Sequence, residues 1–272
     1  MIFLVFILLL LSDIITTAPA PNSTNGDASP CLEEFYKAAH ALQFNCTGEY
    51  DFFSNDLTVQ HNSFKTGKDC FLLVIKAVCT PAQYDLISTK YEGFLSILTT
   101  EPINDPGCTS LYYSYNLQRC IPQMQQIGMD VMKFSFIQTE INDSRVLDFI
   151  DMCYDTKECI APACNLPDIA KNGITQTCEG IEMKNSEYFV CTAKIQTGAP
   201  DLSGYKCLEG ANYYDTSMKA QTDLWTNKKE CVKEIFADLC GPAAIENFDT
   251  YSELTIKGFQ VLTTFGMAVG GQ

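Results

Sequence analysis

Apolar residues recur at three- and four-residue intervals along most of this chain, the period of helices that bury one face. Cys31, Phe35, Ala38, Ala39 and Leu42 form the first such face, and Ser29 and Pro30 just ahead of it suit a helix start. Residues 68–79, KDCFLLVIKAVC, predict a short helix, and its counterpart at 229–240 buries Ile235, Phe236 and Leu239. Leu111, Tyr115, Cys120, Met124, Ile127, Val131 and Phe134 predict a long helix over about 108–136, with Pro122 placed to kink its first half. Its methionines Met124, Met129 and Met132 read as core. Val146, Leu147, Phe149, Ile150 and Cys153 mark another helix, and Ile181, Tyr188, Cys191 and Ile195 mark a single helix over 178–195. Residues 51–66 are polar around two aromatic anchors and read as an irregular connection.

One stretch occurs twice. Residues 207–240 and 46–79 share Cys-x23-Cys-x8-Cys without a gap, at an offset of 161 positions. Phe52, Phe53, Phe64, Lys68 and Asp69 align with Tyr213, Tyr214, Trp225, Lys229 and Glu230. Matched cysteines with like-for-like aromatics indicate one module used twice. Cys79-Thr-Pro-Ala and Cys240-Gly-Pro-Ala mark the same helix exit in both copies. Gly93-Phe94 before Leu98-Thr99-Thr100, and Gly258-Phe259 before Leu262-Thr263-Thr264, extend the match.

Breakers divide the rest. EPINDPGC at 101–108 places a domain boundary, and the opening MIFLVFILLLL has the length of a signal-peptide core and is too short to span a bilayer. The expected organisation is a signal peptide over 1–20, a flexible linker over 21–30 and a partial repeat over 31–104. A full cysteine-rich helical domain over 105–262 and a C-terminal tail over 263–272 complete it. The tail is too short to cross a membrane.

The fourteen cysteines, Cys31, Cys46, Cys70, Cys79, Cys108, Cys120, Cys153, Cys159, Cys164, Cys178, Cys191, Cys207, Cys231 and Cys240, change the picture. An even number in a chain bearing a secretory leader predicts disulfides and a secreted, extracellular location. Cys70 and Cys79 stand about 13.5 Å apart along one helix, on opposite faces, so each must reach a different neighbour, as must Cys231 and Cys240. No Cys-x2-Cys pair is present and His40 and His61 add no ligand pair, so neither a metal site nor a cofactor is expected. Sequons at Asn22, Asn45 and Asn142 predict a glycoprotein, although Cys46 occupies the middle of the second. The net charge of −15 and pI near 4.4 make nucleic acid a poor partner.

Phe149-x3-Cys153-x5-Cys159-x4-Cys164, Cys178, the run Tyr188-Phe189-Val190-Cys191, then Cys207, Cys231 and Cys240 followed by Phe248 and Tyr251 resemble the nematode secreted family called domain of unknown function nineteen. The resemblance covers about 108–259 as one full copy. Cys31, Cys46, Cys70 and Cys79 stand where Cys191, Cys207, Cys231 and Cys240 stand, so residues 31–100 resemble only its C-terminal half. The resemblance implies an extracellular, disulfide-rich, mainly helical domain and no activity. The fold class expected is therefore an all-α, disulfide-rich helical bundle.

No catalytic residue is singled out. Gly-x-Ser-x-Gly and His-Glu-x-x-His are absent, and neither histidine has a partner at nucleophile spacing. The expected function is a non-enzymatic extracellular interaction module for a protein or glycan. The alternatives are a carrier of a small apolar ligand or, behind it, a secreted protease inhibitor or hydrolase.

Overall fold

The structure, a computed structural model, describes residues 27–136 and 140–264. The leader, most of the linker, the Asn22 sequon and tail residues 265–272 lie outside the described residues. Twelve α-helices and no strand occur among the described residues, so the chain is an all-α, disulfide-rich bundle. The helices are α1 Ser29–His40, α2 Leu57–Thr66, α3 Lys68–Val78, α4 Pro81–Thr89, α5 Tyr91–Thr99 and α6 Leu111–Phe136. They continue as α7 Ser144–Ile160, α8 Asp168–Lys184, α9 Glu187–Gly198, α10 Met218–Thr226, α11 Lys229–Cys240 and α12 Phe248–Thr264.

These helices form two compact units. One holds residues 27–129 with Met152–Ile174, the other Asp130–Asp151 with residues 175–264. The chain therefore changes unit inside α6, α7 and α8. Neither unit coincides with a single continuous stretch of sequence.

In the first unit, α1 packs on α3 and α2 on α5. Phe35 is the hub, with its ring 4.7 Å from Phe71, 5.2 Å from Phe52 and 5.9 Å from Phe64, all fully buried. Such ring pairs add to the area they bury. Residues 57–66 form α2, where an irregular connection was expected. Asp56 caps it by accepting from Thr58 N at 2.7 Å and Val59 N at 3.1 Å. Its buried face includes Gln60 and Ser63 beside Phe64, and those polar side chains hide the helical period.

The first half of α6 packs against this N-terminal repeat within the same unit. Tyr115 Oη accepts from Ala28 N at 3.4 Å, Ser114 and Ser29 hydroxyls meet at 2.7 Å, and Asn116 Nδ2 donates to Leu98 O at 2.9 Å. Arg119, only 3% exposed, donates through Nη1 to the Ser54 carbonyl. Burial pushes its pKa below the ordinary value, and its charge is felt at the buried Tyr36. Cys108–Cys164 and Cys120–Cys159 fasten α6 and its lead-in to α7 and the loop behind it.

The helix runs unbroken through the buried Pro122, which removes the donor that would have met the Gln118 carbonyl. Met129 and Met132 are 53% and 47% exposed, correcting the core reading. The buried stripe of α6 instead follows Tyr112, Tyr115, Cys120, Ile127, Val131 and Phe134, and the two methionines fall off it.

In the second unit, Tyr188 is the hub, 5.3 Å from Phe236, 5.5 Å from Phe248 and 5.8 Å from Trp225. Phe134 packs edge-on to Phe149 at 5.4 Å, and Lys184 donates to the Phe134 carbonyl. The single helix expected over 178–195 is two, α8 and α9. The break lies at Asn185–Ser186, where the Ser186 side chain accepts from Phe189 N and begins a new helix.

Candidate functional site

Each copy of the repeat is closed by two nested bridges. Cys31–Cys79 and Cys46–Cys70 span 48 and 24 residues, and Cys191–Cys240 and Cys207–Cys231 span 49 and 24. The outer bridge ties the Cys-x8-Cys helix, α3 or α11, to the first helix of its module. The inner bridge ties that same helix to a 3-10 turn, Asn45–Glu49 or Lys206–Leu208. Opposite faces of one helix thus hold two neighbours, as the spacing requires. Cys153 and Cys178 are also bonded, and no cysteine is free among the described residues.

The matched lysines have the same task. Lys68 Nζ lies 3.7 Å from Glu92 and 4.4 Å from the centre of the Tyr91 ring. Lys229 Nζ lies 2.6 Å from Asp249, which also meets Lys233 at 3.1 Å. Hydrogen bonds from these two ammonium groups hold the Asp249 carboxyl below the usual carboxylate range. Tyr91-Glu92 is therefore the structural counterpart of Phe248-Asp249, and both open the helix that follows the connector.

That equivalence corrects the far end of the sequence match. Asp249 follows Glu92 by 157 positions, whereas Cys240 follows Cys79 by 161. The second connector is shorter by four residues, about one helical turn. In the first copy Thr80 and Gln83 form a capping box that starts the nine-residue α4. In the second, Gly241 at φ 88° offers no capping side chain, and Pro242–Ile245 makes only a 3-10 turn. Gly93-Phe94 thus lies in the first turn of α5 while Gly258-Phe259 lies deep in α12, so the two pairs do not correspond.

Beside the inner bridge of the first copy lies an open groove of about 570 Å³, lined by Gln43, Phe44, Asn45, Tyr50, Asp69 and Leu73 together with Cys46 and Cys70. Leu73 is 56% exposed at its edge. The second copy holds a groove of about 510 Å³ along the loop from Ala199 to Tyr214. Pro200, Asp201, Leu202, Tyr205, Tyr213 and Tyr214 contribute to its wall. Tyr214 Oη donates to the Pro200 carbonyl at 2.6 Å and closes the loop on itself. Asp201 accepts from Ser203 N at 2.9 Å, which holds its carboxyl below the usual range. Partial burial pushes the Tyr205 hydroxyl up, and the Asp238 carboxylate it donates to at 3.3 Å adds to the effect. Both grooves combine aromatic rings, one carboxylate and at least one amide side chain, beside a loop that a disulfide pins to a helix.

His61 Nδ1 lies 2.9 Å from Thr99 Oγ1, and that hydroxyl donates to the Leu95 carbonyl at 2.8 Å. The imidazole therefore donates at Nδ1 and takes no proton from Thr99. His40 packs against the Phe53 ring at 6.1 Å. Among the described residues neither imidazole hydrogen-bonds a carboxylate, and no group of three or more His, Cys, Asp or Glu could hold a metal ion. No described helix is long and apolar enough to cross a membrane.

Asn45 is exposed on the first groove, but its sequon partner Thr47 is 5% exposed and donates to the Phe44 carbonyl at 2.8 Å. Asn142 is exposed just ahead of α7 at φ 64°. The cap there falls to Asp143, which accepts from Arg145 N at 3.0 Å. Much of each groove wall is loop without period; in the second copy the Tyr213-Tyr214 pair marks the wall, whereas its counterpart Phe52-Phe53 lies outside the lining of the first groove.

The family model described as Domain of unknown function (DUF19) matches residues 12–109 and again residues 108–260. The chain belongs to this family. The two DUF19 matches meet at the breaker cluster, and each contains one nested bridge pair and its groove. No curated protein and no solved structure matches the chain.

Proposed function

We propose that this protein is a secreted, non-enzymatic module, of nematode origin, that binds an extracellular protein or glycan through its two bridged loops. One full DUF19 copy preceded by a partial copy is the organisation that fits the bridge pattern. The observation that carries the reading is the duplication of the site: two nested bridge pairs, each fixing an open groove of mixed lining to a short helix. Loops pinned to a rigid scaffold are where binding residues concentrate. The open, partly polar grooves suit a partner surface better than a small apolar cargo, which favours a closed apolar pocket.

The test is affinity capture from extracellular fluid of the source animal with wild type and with the Leu73→Asp, Tyr214→Ala variant. A partner held by wild type and lost from the variant supports the reading. Recovery of no specific partner, or equal recovery by both, overturns it.

The same reading implies glycans at Asn22, Asn45 and Asn142. At Asn45 the folded loop commits both sequon neighbours, Cys46 to its bridge and the Thr47 hydroxyl to Phe44. Glycan attachment must therefore precede closure of Cys46–Cys70, and the two events compete. Cys70→Ser is expected to raise the glycosylated fraction at Asn45, read as a glycosidase-sensitive mass shift, and unchanged occupancy would contradict the competition.

A further inference from the structure

We infer that the groove of the C-terminal module receives the cationic head of a lysine or arginine side chain from a polypeptide partner; this rests on the interaction reading above. Three tyrosines, Tyr205, Tyr213 and Tyr214, line it, and no lysine or arginine does. Ring faces attract ammonium and guanidinium groups, the more so where water is partly excluded. Asp201 supplies a formal counter-charge in the same wall, oriented by the Ser203 amide.

The surroundings have the same sign. Glu234 and Asp238 flank Tyr205, and neither forms a salt bridge among the described residues. Lys233, next to Glu234 in the sequence, pairs with Asp249, Lys228 pairs with Glu209, and Lys194 donates to the Leu239 carbonyl. Lys206 is exposed and stands outside the groove wall. Tyr213 is 6% exposed with its hydroxyl buried, so it backs the wall while the half-buried Tyr205 and Tyr214 present accessible ring surface. A net charge of −15 draws cationic partners toward the surface as a whole.

The size of the groove selects a tethered cation. About 510 Å³ exceeds what an ammonium head fills and leaves room for its aliphatic stem along Pro200 and Leu202. A free amine in so open a site would keep much of its hydration, whereas a side chain held by flanking backbone enters with its position already restricted.

The test uses the full chain with carbon-13 in its tyrosine rings, titrated with acetyl-Ala-Lys-Ala-amide, with the same peptide acetylated on the lysine, and with n-butylamine. The lysine peptide is expected to shift the Tyr205, Tyr213 and Tyr214 signals saturably, and added salt is expected to weaken it. Acetylation is expected to weaken binding by about tenfold, and Asp201→Asn, which keeps an acceptor for Ser203 N, by about fivefold. Tyr205→Leu is expected to weaken it by a similar factor through loss of a ring face. Equal binding of the acetylated peptide, or no shift with the lysine peptide, overturns the inference. Butylamine binding as tightly as the peptide overturns its assignment to a polypeptide. If capture of a partner still depends on Tyr214 while lysine peptides fail to bind, the module reading stands and the cation chemistry falls.

Discussion

Phe71→Ala is expected to destabilise the unit built on the N-terminal repeat by about 3–5 kcal/mol, while alanine at the matching position of the second copy, Val232→Ala, costs roughly 2 kcal/mol. Both side chains are fully buried. Phe71 touches four rings, with centroids 4.7 Å away at Phe35, 5.1 Å at Phe64, 5.5 Å at Phe94 and 6.0 Å at Tyr91. Removing it takes away a whole phenyl ring at a place where four rigid neighbours cannot all collapse. Four residues on, the order reverses. Ile75 of the first copy matches Phe236 of the second, whose ring packs on Tyr188, Trp225 and Phe248. Phe236→Ala is therefore expected to exceed Ile75→Ala. Chemical denaturation followed by hydrogen exchange in each unit measures all four. Equal losses at Phe71 and Val232 would mean that the two modules share one core design, contrary to the ring contacts.

The second large effect concerns the bridges. Replacing Cys31 and Cys79 together by alanine is expected to cost roughly 4 kcal/mol, and replacing Cys46 and Cys70 roughly 3.5 kcal/mol, because the outer bridge closes the longer loop of the unfolded chain. The spans of 48 and 24 residues differ by a factor of two, and each doubling of a loop is worth only about 0.6 kcal/mol. Loop entropy therefore makes the two bridges near equals in stability, and local effects separate them. Only the inner bridge holds the turn that carries Asn45 beside the groove. Thermal unfolding of the two double variants tests the ranking, and accessibility of the 43–50 loop to protease tests the division of labour. An inner bridge whose removal leaves that loop protected would refute the pinning.

Much of this fold was legible in the sequence because its signals are strong and local. The Cys-x23-Cys-x8-Cys frame, the apolar faces of α1, α3 and α6, and the opposed cysteines of α3 and α11 follow from residue spacing alone. The departures have physical causes. Helix α2 escaped because its buried face includes Gln60 and Ser63, though Asp56 ahead of Leu57 was a readable cap. The α8–α9 break escaped because Ile181 and Tyr188 keep a helical period across a Ser186 cap. Met129 and Met132 were placed by residue type, and their angular position on α6 overrode it. The candidate grooves were least legible. Their walls come largely from aperiodic loops, and bridge pairing brings Tyr50 of such a loop beside Leu73 of α3, which spacing does not relate.

The passage of the chain between units inside α6, α7 and α8 sets an order on biosynthesis. Cys31 and Cys79 emerge from the ribosome well before residues 152–174, which the first unit needs for its completion. The outer bridge of the first module thus has its two sulfurs present while part of the unit around it is still unsynthesised. The module must either hold together on its own bridges during translation or wait, exposed to the folding machinery, for a returning helical segment that begins about seventy codons after Cys79.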